Sequence, residues 1–147
     1  MYFLRLIAKL RKFYRRRGSN TGMQGEDEAS AYLRKEGYAI IERNFRTPIG
    51  EIDIIARDGD VLCFVEVKTR RDPEANPLER IDSRKQRQIS RVASFYLTAK
   101  RIQNLICRFD AVAVTLNPGG KDRITLVRNA FSLDNLEAET PEHRFRS

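Results

Sequence analysis

Gly50-Glu51-Ile52-Asp53-Ile54-Ile55-Ala56-Arg57-Asp58-Gly59-Asp60-Val61-Leu62-Cys63-Phe64-Val65-Glu66-Val67-Lys68 decides how the chain folds. Two runs rich in β-branched residues flank Asp58-Gly59, a dipeptide suited to a two-residue hairpin loop because both positions tolerate positive φ. The expected register sets Arg57 opposite Asp60, Ile55 opposite Leu62, Asp53 opposite Phe64 and Glu51 opposite Glu66. Alternation then gives one apolar face of Ile52, Ile54, Ala56, Val61, Cys63, Val65 and Val67. The other face is apolar near the turn, with Ile55, Leu62 and Phe64. Farther from the turn it collects Glu51, Asp53, Glu66 and Lys68.

In that register Asp53 and Glu66 are diagonal neighbours with Cα atoms roughly 7–8 Å apart, a gap two carboxylates can close onto one ion. Mg²⁺ suits such a pair, because it takes oxygen ligands, often one or two carboxylates, and fills its other positions with water and phosphate. Lys68 is expected beside that ion, where its ammonium can orient a water or offset phosphate charge. An odd-length loop or a bulge would rotate Glu66 away and remove the argument. The plainer alternative is the solvated face of an ordinary hairpin, with cross-strand pairs worth about 0.2–1 kcal/mol. Directly opposed Glu51 and Glu66 would repel unless a cation lay between them, which favours a site.

The remaining chain fits a single domain of 147 residues, without internal repeats and without an apolar span of about twenty residues that could cross a membrane. Its net charge of +8 resides almost entirely in residues 1–17, which hold seven basic residues and no acid. Tyr2, Phe3, Leu6, Ile7, Leu10, Phe13 and Tyr14 recur there at helical spacing, so residues 1–18 form a basic amphipathic arm suited to nucleic acid, anionic membrane or a partner groove. A loosely ordered arm is an equal alternative. Arg5 and Lys9 interrupt any apolar signal core, so a secretory signal is not expected. A domain over residues 19–132 and a flexible tail over 133–147 complete the division.

Within the domain, Gly18 to Gly22 reads as a break and a helix is expected from about Met23 to Lys35, stopped by Gly37. Its inward stripe is Ala29, Tyr32 and Leu33, with Glu26 on the packing edge, either as a solvated first-turn acid or aimed at the hairpin's acids. Tyr38 to Arg46 reads as a strand, with Thr47-Pro48-Ile49-Gly50 as the turn into the hairpin. Thr69 to Asp82 is a loop in which Arg70, Arg71 and Arg80 can meet phosphates. A second helix is expected after Ser83 as N-cap, running to about Lys100. Ile89, Val92, Ala93, Tyr96 and Leu97 form its buried stripe. Lys85 lies one turn before Ile89, as a snorkelling lysine or a phosphate contact, while Arg84, Arg87 and Arg91 face away. Cys107 to Thr115 and Arg123 to Arg128 read as two more strands, joined by Asn117-Pro118-Gly119-Gly120.

Several chemistries drop out. The sole histidine, His143, lies in the tail, leaving little for histidine-dependent catalysis or a histidine-rich zinc site. Cys63 and Cys107 lack metal-ligand spacing and fit small apolar strand residues in a reducing compartment. No Walker loop or dinucleotide fingerprint is present.

The order α-β-β-β-α-β-β, with Asp53, Glu66 and Lys68 on the middle hairpin, resembles the PD-(D/E)xK, or restriction-endonuclease-like, α/β fold, a mixed central sheet flanked by helices. A closer resemblance spans most of residues 22–131. Gly25-Glu26 with Ala29 and Tyr32-Leu33, Arg43-Asn44-Phe45-Arg46, Gly50-Glu51-Ile52-Asp53, Phe64-Val65-Glu66-Val67-Lys68, Lys85, Arg108-Phe109-Asp110 and Asn129-Ala130-Phe131 are similar to the YraN family of small bacterial proteins. The chain departs from it at Asn76, where glycine is common in the family, and in its longer basic arm. The resemblance implies a cytoplasmic, Mg²⁺- or Mn²⁺-dependent nuclease acting on DNA, with branched or damaged forms as candidate substrates. Asp53 and Glu66 would hold the metal, Glu26 would support it, Lys68 would position the attacking water, and Lys85, Arg70, Arg71 and Arg84 would contact phosphates. The alternatives are a nucleic-acid-binding or partner-dependent module that keeps the fold without turnover, and an interaction protein docked on anionic membrane through the arm.

Overall fold

The computed structural model describes residues 20–72, 74 and 81–132. The arm, the tail with His143, and Arg80 and Asn76 in the loop lie outside the described residues. The elements follow the expected order: helix α1 (Asn20–Lys35), strands β1 (Ala39–Thr47), β2 (Gly50–Asp58) and β3 (Val61–Arg70), helix α2 (Ser83–Ala99), then β4 (Cys107–Thr115) and β5 (Arg123–Phe131). The strands form one mixed sheet in the order β1-β2-β3-β4-β5. Only β3 and β4 are parallel, because α2 carries the chain back over the sheet between them. This is the α/β arrangement that the restriction-endonuclease-like resemblance implies.

Both helices bury an apolar stripe, and each covers one face of the sheet. On α1, Ala29 and Leu33 pack with Ile54, Ala56, Cys63, Val65, Val112 and Val114. On α2, Ile89, Val92, Ala93 and Tyr96 pack with Ile52, Ile55, Leu62, Phe64, Phe109 and Phe131. Edge-to-face contacts of Tyr96 with Phe45, at 5.0 Å, and with Phe64, at 5.9 Å, tie α2 to the sheet. No described helix is long and apolar enough to cross a membrane.

Helix α1 begins at Asn20, inside the expected break, and Tyr32 is half-buried rather than central to its packing stripe. It stops as expected. Gly37 takes φ 92°, donating to Arg34 O while Tyr38 N donates to Leu33 O, the paired bonds of a Schellman cap. The N-cap of α2 is Asp82 and not Ser83, its carboxylate accepting the Lys85 N–H at 2.8 Å. Either residue type can cap.

The hairpin register differs from the expected one by two residues. Asp58 faces Val61, so Gly59 and Asp60 form the loop, and the pairing continues through Arg57↔Leu62 and Ile55↔Phe64 to Ile54↔Val65. Gly59 supplies the positive φ, 59°, at the first loop position, as a glycine-first hairpin loop requires. Asp58 remains in the strand, where its carboxylate accepts from Arg108 at 2.7 Å. A two-residue shift preserves the facing of every side chain.

That pairing then stops. Beyond Ile54↔Val65 the lower part of β2 stays with β1, through Ile52↔Phe45 and Glu51↔Arg46, while Glu66 to Arg70 stay with β4. The sheet forks, and Asp53 and Glu66 are the first residues past the fork. Asp53 Oδ2 accepts the Val67 N–H at 2.7 Å, taking the place of a ladder bond. Below this point β2 no longer follows the hairpin's alternation. Ile52, expected on the face under α1, packs in the α2 layer with Phe45 instead.

Candidate functional site

At the fork two carboxylates stand where β2 and β3 are no longer joined by a ladder. Asp53 is 8% exposed, and the Glu66 side chain 12%. The two carboxyl groups interact directly. Both are pushed up in pKa, chiefly by burial. For Asp53, well above the usual carboxylate range, the neighbouring Glu66 adds to this, with smaller contributions from Glu26 and Glu51. Glu66 rises less because the Lys85 ammonium, 3.3 Å from Oε1, favours its anion.

The register corrects one premise about this cluster. Glu51 does not face Glu66. It stands across from Arg46, whose Nε lies 3.0 Å from Glu51 Oε2. Asp53 and Glu66 are instead brought together directly, without the diagonal offset. Lys68 follows Glu66 by two residues along a part of β3 regularly paired with β4, so both point to the α2 side of the sheet.

Glu26 reaches the same end of the sheet from the opposite layer. Gly25 permits this: a Cβ there would stand 1.8 Å from Thr69 Oγ1. The helix therefore touches β3 just past Lys68. Burial raises the Glu26 pKa, against the Asn44 side chain and Arg43, whose Nη2 lies 3.9 Å from the carboxylate. Arg43 also binds Asp27 at 2.7 Å. Among the described residues no group of three or more His, Cys, Asp or Glu side chains is gathered so as to hold a metal ion. The donor set that fits a hard cation is therefore the buried pair, Asp53 and Glu66, a number of carboxylates that Mg²⁺ commonly uses with waters completing its shell.

The expected phosphate contacts divide. Lys85 is at the pair. Arg84 is exposed beside it, in an open cleft of about 490 Å³ also lined by Ile49, Asp82, Lys85, Arg87, Gln88 and Arg91, where Asp82 is the N-cap of α2. Arg70 and Arg71 continue β3 and its exit, where Arg71 Nη2 donates to Thr21 Oγ1 of α1 at 2.7 Å. They are thus apart from the α2 cleft.

Two contributors escaped sequence reasoning. Asn44 adopts φ 55° inside β1, between Arg43↔Ile54 and Phe45↔Ile52, which sets it across from Asp53. Asparagine's tolerance of that conformation was the available signal. Arg46 answers Glu51, and the spacing around the Thr47–Gly50 turn could have paired them.

With this geometry in view, the chain's relatives are informative. The model of the uncharacterised protein family UPF0102, the YraN family, matches residues 25–114, which include Glu26, Asp53, Glu66, Lys68 and Lys85. A UPF0102 protein of Syntrophus aciditrophicus is 51% identical over 114 residues, covering 77% of this chain and 89% of its own length. Those of Geobacter sulfurreducens and Symbiobacterium thermophilum are each 48% identical, covering 76% and 75% of this chain and 88% and 94% of their own.

Proposed function

Taking as premise that the chain belongs to the uncharacterised protein family UPF0102, we propose that it is a bacterial metal-dependent nuclease hydrolysing DNA phosphodiester bonds, with branched or damaged DNA as candidate substrates. One observation carries this reading: two carboxylates taken largely out of solvent, Asp53 and Glu66, meet at the fork between β2 and β3, with the Lys85 ammonium 3.3 Å from Glu66. Two acids brought together away from solvent are unfavourable as structure alone and apt for a cation. Asp53 and Glu66 would hold Mg²⁺ or Mn²⁺. A bound ion supplies Lewis acidity and a water of lowered pKa.

The chain's own residues do the rest. Lys68, on the side of β3 that carries Glu66, orients the attacking water and offsets charge gathering on the phosphate oxygens. Glu26, beside Asn44 and Arg43, adds negative field at Asp53 and supports the water shell. Lys85 favours the Glu66 anion and, with Arg84, Arg70 and Arg71, contacts flanking phosphates. The two cysteines are free thiols, which suits a cytoplasmic setting.

The test incubates the full chain with linear, single-stranded and branched DNA in Mg²⁺, Mn²⁺ or EDTA, beside Asp53→Ala and Lys68→Ala. Metal-dependent cleavage is expected, falling at least about 100-fold in either variant. Wild type cutting no faster than the variants under every condition sinks the proposal. It would leave the second reading, a binding module that keeps the fold without turnover. That reading draws on the absence, among the described residues, of a third acid gathered with the pair.

A further inference from the structure

Helix α2 spans Ser83–Ala99 with four cations, Arg84, Lys85, Arg87 and Arg91, and no acid. Lys85 turns to Glu66. Arg84, Arg87 and Arg91 are exposed. At 100° per residue, Arg84, Arg87, Gln88, Arg91 and Phe95 fall within a 100°-wide stripe on the side away from Ile89, Val92 and Tyr96. The stripe rises about 16 Å from Arg84 to Phe95.

Two apolar groups border these cations without being buried. Phe95 is 40% exposed although its ring approaches Phe45 at 6.4 Å. Ile49, 41% exposed at the tip of the β1–β2 turn, is held beside the stripe because Gln88 Nε2 donates to its carbonyl at 2.9 Å. A solvated helix face meant only for solubility would mix charge signs and would not present an aromatic ring. Arginines spaced by a helical turn, with an exposed ring and an aliphatic tip among them, match an unpaired strand. Its phosphates meet guanidinium groups, and its bases, unlike those of a duplex, can lie against apolar surface.

We propose that the outward stripe of α2, Arg84, Arg87, Gln88, Arg91 and Phe95 with Ile49 at its side, binds single-stranded nucleic acid leading to or from the acid pair. This deepens the nuclease reading, since the stripe starts beside Lys85, yet it is measured without cleavage.

The full chain is titrated in EDTA against labelled single-stranded DNA, single-stranded RNA of the same sequence and blunt duplex, by fluorescence anisotropy over a range of salt. Single strands are expected to bind tighter than duplex, and comparison of the DNA and RNA arms identifies the sugar preferred. Arg84→Ala with Arg91→Ala should weaken binding at least about tenfold and flatten the salt slope by about 1.4, at about 0.7 per lost phosphate contact. Phe95→Leu keeps an apolar contact for Phe45 but removes the stacking face. It should weaken binding about tenfold at an unchanged salt slope, as loss of one stacked base does. Thermal melts of each variant establish that it is folded. Arg34→Ala with Lys35→Ala removes two exposed cations from α1 and serves as the charge control. The proposal is overturned if that control weakens binding equally, if duplex binds as tightly as single strand, or if folded Phe95→Leu binds like wild type. Single-strand binding by a protein that cuts nothing would overturn the nuclease reading alone.

Discussion

Asp110 and Asp53 are both buried aspartates of one sheet, and their surroundings are opposite. Asp110 is 0% exposed and well supplied with donors: Arg108 grips both its oxygens at 2.8 and 3.0 Å, Tyr38 OH donates at 2.9 Å and Asn129 N at 2.9 Å. Arg108 also reaches Asp58 and the Tyr38 hydroxyl, and Arg128 lies over the Tyr38 ring. Burial beside Asp110 pushes the Tyr38 phenol up to about 12, so it remains a donor at any physiological pH. Asp53 receives one backbone N–H and faces another acid. Removing a partner from a buried charge with several donors is costly, whereas a buried acid facing another acid is where a cation can be accommodated.

The largest effect should therefore come from the answered end. Arg108→Ala leaves Asp110 buried without its main partner and is expected to destabilise by about 3–5 kcal/mol in urea unfolding. Replacing both partners together, Arg108→Met with Asp110→Leu, should lose much less, because no uncompensated charge remains. A loss under about 1 kcal/mol for Arg108→Ala would erase the distinction between the two aspartates.

A smaller effect is expected at the joint that brings α1 to the fork. Alanine normally stabilises a helix by roughly 0.5–1 kcal/mol over glycine. At Gly25 its Cβ would overlap Thr69, so Gly25→Ala should instead destabilise by about 1–3 kcal/mol, the range for overpacking. Gly25→Ala with Thr69→Gly should recover most of this in the same melts. Recovery would identify the contact, and not the helix, as the reason for glycine.

These two regions also differ in how far the sequence disclosed them. The hairpin and the element order were legible, and the facing of Glu66 and Lys68 along β3 was too, because alternation survives a two-residue slip even though the loop proved to be Gly59-Asp60. Ile52 was misplaced because the fork ends the alternation on which its facing was judged. The Asp110 network was not legible as a network. Arg108, Asp58, Tyr38 and Asn129 are far apart in sequence, and only the parallel register Val65↔Asp110 and the irregular β4–β5 pairing bring them to one point. Arg108, Asp110 and Asn129 were visible only in blocks resembling a family, Tyr38 only as the start of a strand and Asp58 only as a turn residue. Asn44 shows the same limit, since its φ of 55° is set by β1 and β2 together.

The smallest and most discriminating test lies at the acid pair. Asp53 and Glu66 both have folded-state pKa values above their ordinary ones, so the folded protein holds their protons more tightly than the unfolded chain does. Stability falls with pH wherever the native state binds more protons. The contribution of the pair is thus fully present below about pH 4, where both states are protonated, and is lost as pH rises through the folded values. Asp53→Asn removes one of the two acids while leaving a carbonyl able to accept from Val67. In EDTA it should match wild type near pH 4 and become more stable by about 0.5–2 kcal/mol at neutral pH, a gain of the size seen when a functional strain is relieved. Mg²⁺ should close or reverse the gap, since an ion bound at 100 times its Kd stabilises wild type by about 2.7 kcal/mol and the variant less. Should Asp53→Asn instead destabilise at neutral pH in EDTA, as loss of an answered charge would, Asp53 belongs with Asp110 and the fork is structure.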